Sequence, residues 1–377
     1  MRIYLSPPEV SEADIEAVVA AMRSGWIAPA GPALARFEEG LSVLCGRRYA
    51  VALSSGTAAL HLALKSAGVC PGDLVLLPTM SFAAPAFAVR YCGAEPFWID
   101  VDPENWQLDP SLLASAVDEL QRQGRRIGAV VGVDLYGQCG DWAAVSRICA
   151  EAEIPFIEDA AEALGAGTCL EDGSIRPAGS WGQAGIFSFN GNKILTTSGG
   201  GMWVGDDEQL AAKVRKWASQ SREPVVHYEH HELGYNYRMS NLLAALGCSQ
   251  LESLRDRIER RKSIFKRYGA AFDGVDGFSL MPVPASSRPN YWLSCFTVDP
   301  KQSGVSANEV QMALHGAGIE SRPLWKPLHR QTVFVGTGNR LTGVADQLFA
   351  DGLCLPSGAG LTLSEQEEII DRIRALL

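Results

Sequence analysis

YAVALSSGTAALHLALKSA, residues Tyr49–Ala67, decides the fold class. Tyr49–Leu53 is a short apolar run of strand character. Ser54, Ser55 and Gly56 break it, and Thr57–Ala67 then carries apolar residues at helical spacing until Gly68 stops them. A strand passed through a tight polar turn into a helix is half of a βαβ unit, and the pattern recurs downstream. Leu74–Leu77 reads as a strand followed by a helical stretch to about Tyr91. Pro96–Ile99, Ile127–Asp134 and Ile154–Glu158 read as further strands, with helical segments near 110–123 and 141–152. This alternation predicts an α/β fold whose large, mostly parallel sheet is covered by helices on both faces.

Upstream, Ser11 reads as an N-cap with Asp14 three residues on; Ile15, Val18, Val19 and Met22 share a face, and Gly25 ends the helix. Downstream, Phe187–Val204 reads as short strands and Gly-rich turns. A long helical run extends from about Ser240 to Phe272. From about 278 an α+β unit follows, with a strand near Tyr291–Thr297, a helix near Ala307–His315 and a terminal helix from Ser364. The expected division is a large domain over 1–245 and a smaller C-terminal α+β domain over 246–377, joined by the helix at about 240–272.

The bulk properties narrow the function. With 377 residues, 47% hydrophobic and 20% charged, the chain is a packed globular protein. A formal charge of −10 speaks against a general nucleic-acid binder, although one pocket can still be positive enough for a nucleotide. The nine cysteines are scattered without a Cys-x-x-Cys pair, so reduced thiols are expected rather than a metal site or a disulfide framework. The N-terminus lacks the apolar core of a signal peptide, and no apolar run reaches the roughly 18 residues of a membrane span. The expected location is the cytoplasm.

Four sites depart from ordinary scaffold. Ser55, Gly56 and Thr57 stand at a helix start, where free N–H groups and the helix dipole suit a phosphate; taken alone, the motif reads more simply as a plain N-cap. Asp159 and Glu162, in IEDAAE, stand at the carboxyl end of a strand, where open α/β sheets bind ligands. A carboxylate there can hold the pyridine nitrogen of a cofactor protonated or simply cap the next helix. Lys193, in SFNGNKILTTSGGG (Ser188–Gly201), lies among small polar residues just before three glycines. That is a poor setting for a solvated lysine and a good one for a Schiff-base lysine reaching inward. Leu233–Ser240 is an aromatic and Arg segment that also reads as a packed turn with Ser240 as N-cap.

In this order and spacing, the four motifs resemble the DegT–DnrJ–StrS family of nucleotide-sugar aminotransferases, fold-type I pyridoxal-phosphate enzymes, and the likeness runs from Leu5-Ser6-Pro7 to Leu355-Pro356-Ser357-Gly358. The resemblance implies that Lys193 forms the internal aldimine and shuttles protons. Asp159 would pair with the pyridine nitrogen, and Glu162 would lie at the ring edge. Ser55, Gly56, Thr57 and Ser188 would hold the phosphate, Phe82 would stack on the ring unless it packs in the core, and Asn236 would reach the phosphate of the neighbouring subunit in a homodimer. The cofactor would be pyridoxal 5'-phosphate, alternating with pyridoxamine 5'-phosphate, and L-glutamate the amino donor in a ping-pong cycle.

Finer likeness, carried by Ser188–Ile194, His227–His230, Asn290–Leu293 and Arg322–His329, is to the branch that aminates C4 of a UDP-linked 4-keto-6-deoxy-N-acetylhexosamine on the bacillosamine-type route. It implies a nucleotide-sugar pocket using Trp26, Ile27, Asn192, His227, Tyr228, Arg322 and His329. Tyr291 stands where that branch has Arg. Other expectations are a GDP- or dTDP-linked acceptor aminated at C3 or C4, a sugar dehydratase, or a non-catalytic binding protein on the same fold. The dehydratases carry His where this chain has Lys193, and a binding protein would be expected to lose Lys193 or Asp159.

Overall fold

The computed structural model describes residues 1–376. Eight strands form the main sheet: β1 Tyr49–Leu53, β2 Leu74–Pro78, β3 Glu95–Ile99, β4 Ile127–Val133, β5 Phe156–Asp159, β6 Ala184–Ser188, β7 Gly201–Gly205 and β8 Asn339–Arg340. Their spatial order is β1-β7-β6-β5-β4-β2-β3-β8. β7 runs antiparallel to both of its neighbours, β1 and β6, and the remaining pairs are parallel.

Side-chain alternation along these strands builds two cores, one on each face. Leu74, Leu76 and Val130 join one cluster, while Val75, Leu77, Ala129, Val131 and Val133 join the other. Every residue of β2 is buried, as a strand covered on both faces requires. After β3 the chain returns to the other side of β2 to make β4. Such a reversal leaves a crevice at the carboxyl ends of the strands.

A second sheet joins Phe278–Leu280, Ser294–Val298, Gly352–Leu355 and Arg322–Pro323. Its core takes Tyr268 and Phe272 from one helix, Val310 and Leu314 from another, and Ile369 and Ile373 from the last. Ile3 bridges to Ile319 and packs there too, so the first residues of the chain lie beside elements formed near its end. No helix among the described residues is long and apolar enough to cross a membrane.

Three local readings change. Pro32–Cys45 and Glu208–Ala218 are helices that the apolar pattern did not bring out. Pro32 in the first turn and Gly46 in the left-handed C-cap are the signals for the former. The run expected from Ser240 to Phe272 is two helices, Asn241–Glu252 and Leu254–Phe272. They break at Ser253, whose hydroxyl donates back to the Gln250 carbonyl (3.2 Å). In the first helix the Ser11–Asp14 capping box forms, but Ile15, Val19 and Met22 are exposed. The inner face is instead anchored by Asp14, which accepts from Gln250 Nε2 at 2.7 Å.

Candidate active site

The carboxyl ends of β1, β2, β5 and β6 surround a cavity of about 330 Å³. Ser55, Gly56, Thr57, Phe82, Asp159, Glu162, Ser188, Asn192 and Lys193 all line it. Helix Gly56–Ser66 starts at its wall. Ser55 Oγ accepts from the Ala58 N–H (3.0 Å), so the hydroxyl does serve as an N-cap. The Gly56 and Thr57 amides, in the first turn, have no intrahelical acceptor and remain available to an anion. The cradle is tight: a Cβ on Gly56 would lie 2.9 Å from the Ser188 Cβ, and one on Gly201 would lie 2.4 Å from the Ser55 backbone.

Lys193 comes from the loop between β6 and β7. The Phe189 N–H donates to the Gly200 carbonyl and the Thr197 N–H to the Phe189 carbonyl, which closes that loop on itself. Ser198 takes a left-handed conformation (φ 68°) where the chain turns back. Lys193 Nζ then points inward, 3.5 Å from Glu162 Oε1. Glu162 is held on its other oxygen by the Tyr136 N–H at 2.8 Å. Tyr136 adopts φ 56° to present that N–H, a left-handed strain spent on orienting a carboxylate. Burial raises the Glu162 carboxyl, and the Lys193 charge opposes the rise.

Asp159, at the end of β5, accepts at Oδ1 from the Ala161 N–H (3.0 Å). Burial pushes its carboxyl up to about 7; the Ala161 bond pulls it down, and the Glu162 and Glu158 charges push it further up. The Lys193 charge also lowers it without cancelling the effect of burial, and a protonated ring nitrogen would add a second cation. On the opposite face of β5, Glu158 and Asp134 are also buried and raised, Glu158 to about 7, each chiefly by burial. Asp134 Oδ2 and Glu158 Oε1 have no hydrogen-bond partner, the arrangement in which two carboxyls share one proton.

Phe82 is 54% exposed and meets Trp325 edge-on (centroids 5.6 Å apart), so it forms cavity wall rather than core. Ser81 Oγ is buried without a partner in the same lining. An anion cradle, an inward amine, a strand-end carboxyl and an aromatic wall together fit a flat phosphorylated heteroaromatic aldehyde. Gly56, Thr57 and Ser188 would hold its phosphate and Asp159 its ring nitrogen.

The other sequence candidates lie elsewhere. Arg322 lines an adjoining cavity of about 740 Å³, shares its Glu320 partner at 2.9 Å, and reaches the first cavity only through the common walls Asn192, Trp292 and Trp325. Asn236 lines an open surface cleft with Arg215, Arg222 and Arg238. Trp26, Ile27 and Tyr228 are exposed, and His227 is paired with Glu229 at 2.9 Å on the surface. His329 is engaged by Thr79 Oγ1 (2.7 Å) and Asp346 (3.3 Å). Tyr136, Trp292 and Trp325 were missed as site residues. Only the left-handed backbone and the fold bring them in, and spacing signals neither.

The sequence profile of the DegT/DnrJ/EryC1/StrS aminotransferase family matches residues 8–374. EpsN of Bacillus subtilis, named for pyridoxal phosphate-dependent aminotransferase activity, is 44% identical over 98% of this chain and 94% of its own length. GDP-perosamine synthase of Caulobacter vibrioides is 34% identical over 100% and 97%. The solved structure of Spr1654 from Streptococcus pneumoniae, named as a sugar aminotransferase and captured in its PMP form, superposes with a TM-score of 0.89 at 26% identity, covering 99% of this chain and 98% of that one. This chain belongs to the DegT/DnrJ/EryC1/StrS aminotransferase family: it is a pyridoxal-phosphate-dependent sugar aminotransferase, with pyridoxamine phosphate as the cofactor's other form.

Proposed function

We propose that this aminotransferase moves an amino group from L-glutamate to the C4 ketone of a UDP-linked 4-keto-6-deoxy-N-acetylhexosamine, and that it does so as a homodimer with shared active sites. One observation carries the reading of a nucleotide-linked acceptor. The Lys193 cavity adjoins, across Asn192, Trp292 and Trp325, a space more than twice its size, about 740 Å³ against about 330 Å³. Its walls are apolar at Pro7, Pro8, Leu324 and Phe349, with Lys326 and the Glu320-paired Arg322 as cations. Apolar walls with cations suit a flat base joined to a diphosphate. The N-acetylhexosamine acceptor rests on the likeness of the Ser188–Ile194 and Arg322–His329 segments to that branch. The division at 245/246 belongs to the same reading, with the acceptor between the two parts.

Pyridoxal phosphate, when bound, supplies the electron sink and carries the amino group between donor and acceptor. The chain's own residues do the rest. Gly56, Thr57 and Ser188 fix the phosphate, and Asp159 keeps a proton on the ring nitrogen. Phe82 covers one ring face. Lys193 Nζ takes the α-proton of glutamate and later delivers a proton to the sugar carbon, while Glu162 orients it. Trp26, Ile27, Asn236, His227 and Tyr228 would serve the partner's site.

A GDP-linked acceptor is the second reading, favoured by the Caulobacter relative's name and full-length match. Glutamate should shift the visible absorbance of the loaded protein to that of the pyridoxamine form, after which UDP- and GDP-linked 4-keto-6-deoxy sugars are offered in turn. Re-oxidation by the UDP-linked N-acetyl sugar supports the proposal. Re-oxidation by the GDP-linked sugar alone replaces it with the second reading.

A further inference from the structure

The Lys193 ammonium is flanked by a carboxylate and by an aromatic ring. Its Nζ lies 4.1 Å from the centroid of the Trp292 ring, with Glu162 Oε1 at 3.5 Å. An ammonium over an indole face is attracted by the ring's quadrupole. Trp292 is 1% exposed and is oriented from three directions. Its Nε1–H donates to the Asn192 carbonyl (2.8 Å), its N–H donates to Asn290 Oδ1 (2.9 Å), and the Arg261 guanidinium donates to its carbonyl. Asn290 Nδ2 in turn donates to the carbonyls of Glu162 (2.8 Å) and Leu164 (3.0 Å). The indole is therefore tied to the residue preceding the lysine and, through Asn290, to the residue bearing the carboxylate. One hydrogen-bonded unit holds both sides of the ammonium.

We propose that Trp292 and Glu162 form a seat for the Lys193 ammonium during the stages when the lysine is not bonded to the cofactor, with Trp292 as a positioning residue. The proposal rests on Lys193 being the cofactor-bearing lysine. The two sides do different work. A carboxylate can draw the proton from the ammonium, whereas indole has only a donor N–H, here already used, and offers no basic site. The π face thus restrains a flexible four-carbon side chain without competing for the proton that the lysine must deliver.

The test uses the full-length protein and its Trp292→Leu and Trp292→Phe variants; Trp292→Met replaces the first should it fail to fold. Borohydride reduction of each loaded protein, followed by peptide mapping, should find the cofactor on Lys193 throughout. Cofactor-free protein is then methylated reductively with formaldehyde and cyanoborohydride at one pH. Lys193 should react about fivefold faster in Trp292→Leu than in wild type, and within about twofold of wild type in Trp292→Phe, which keeps a π face. With glutamate, Trp292→Leu should lower kcat more than it changes KM. Equal methylation in all three proteins overturns the seat. Equal acceleration in the Leu and Phe variants also overturns it, because shape rather than the π face would then be responsible. Cofactor found on a different lysine overturns both the seat and the reading on which it rests.

Discussion

The cavity around Lys193 and the rim formed by Trp26, Ile27 and residues 222–236 are built by opposite means. In the cavity, charges are buried and answered at once: Glu162 by a backbone N–H and the lysine, Asp159 by a backbone N–H. In the rim, apolar side chains stand in water, with Tyr228 at 80% and Leu233 at 83% exposure. Its charged groups only pair locally, His227 and His231 with Glu229 and Arg222 over the Tyr228 ring. An apolar surface of this kind is ordinarily covered by something. Under the proposed dimer, the inward groups of one chain would be completed by a second copy covering this surface.

The largest effect should come from the cavity. On the proposed role, Lys193→Ala would remove both the point of attachment and the proton carrier, and turnover should fall by at least about 10³-fold while the fold survives. A variant retaining a tenth of wild-type turnover would show that the inward amine is not the reacting group. The rim is then tested against it. Asn236→Ala should also be nearly inactive, yet mixed and reassociated with Lys193→Ala it should recover about a quarter of wild-type activity. Half of the dimers formed at random are mixed, and each mixed dimer has one site with both residues intact. No recovery on mixing means that Asn236 serves its own chain or no site at all.

Phe82 lies between the two regions, exposed yet part of the cavity wall. Phe82→Leu should weaken cofactor binding about three- to tenfold, the worth of an aromatic face, without altering the position of attachment. Equilibrium dialysis measures this, and unchanged affinity would return Phe82 to a merely steric role.

The same contrast explains what the sequence could disclose. Parallel strands at β2, β4 and β5 are legible because burial on both faces leaves continuous apolar runs. Lys193, Asp159 and Gly56 are legible because glycines and charges there violate scaffold habits. Tyr136 is not, since nothing in its neighbours announces φ 56°, and Trp292 is not, since it reaches Lys193 only after some hundred intervening residues fold. The first helix shows the converse failure. Ile15, Val19 and Met22 mark a helix correctly but not its inner face, which a buried Asp14 claims through Gln250. Where a polar network decides burial, hydrophobic spacing points the wrong way.

The smallest effect separates the two regions by pH. Asp159 is raised from its ordinary 3.8 to about 7, chiefly by burial. Between those values the folded, cofactor-free chain keeps a proton that the unfolded chain has released. Stability must therefore fall as pH rises from about 4 to about 7, then level off. Glu158, raised to about 7 by burial, adds a fall of the same sign. Asp159→Asn should hence flatten only part of the slope, raising the melting temperature at pH 8 by a few degrees relative to its value at pH 5. Glu229, on the rim, is shifted the other way, lowered by hydrogen bonds from His231 and His227, but its side chain is open to solvent (42% exposed). Water and salt screen such pairs, so Glu229→Gln should leave the slope unchanged. Melting curves of the cofactor-free proteins from pH 5 to 8 decide the matter. Parallel curves for wild type and Asp159→Asn would mean that the Lys193 charge and the Ala161 N–H already offset the burial of Asp159, and would remove the physical reason for a cationic ring nitrogen beside it.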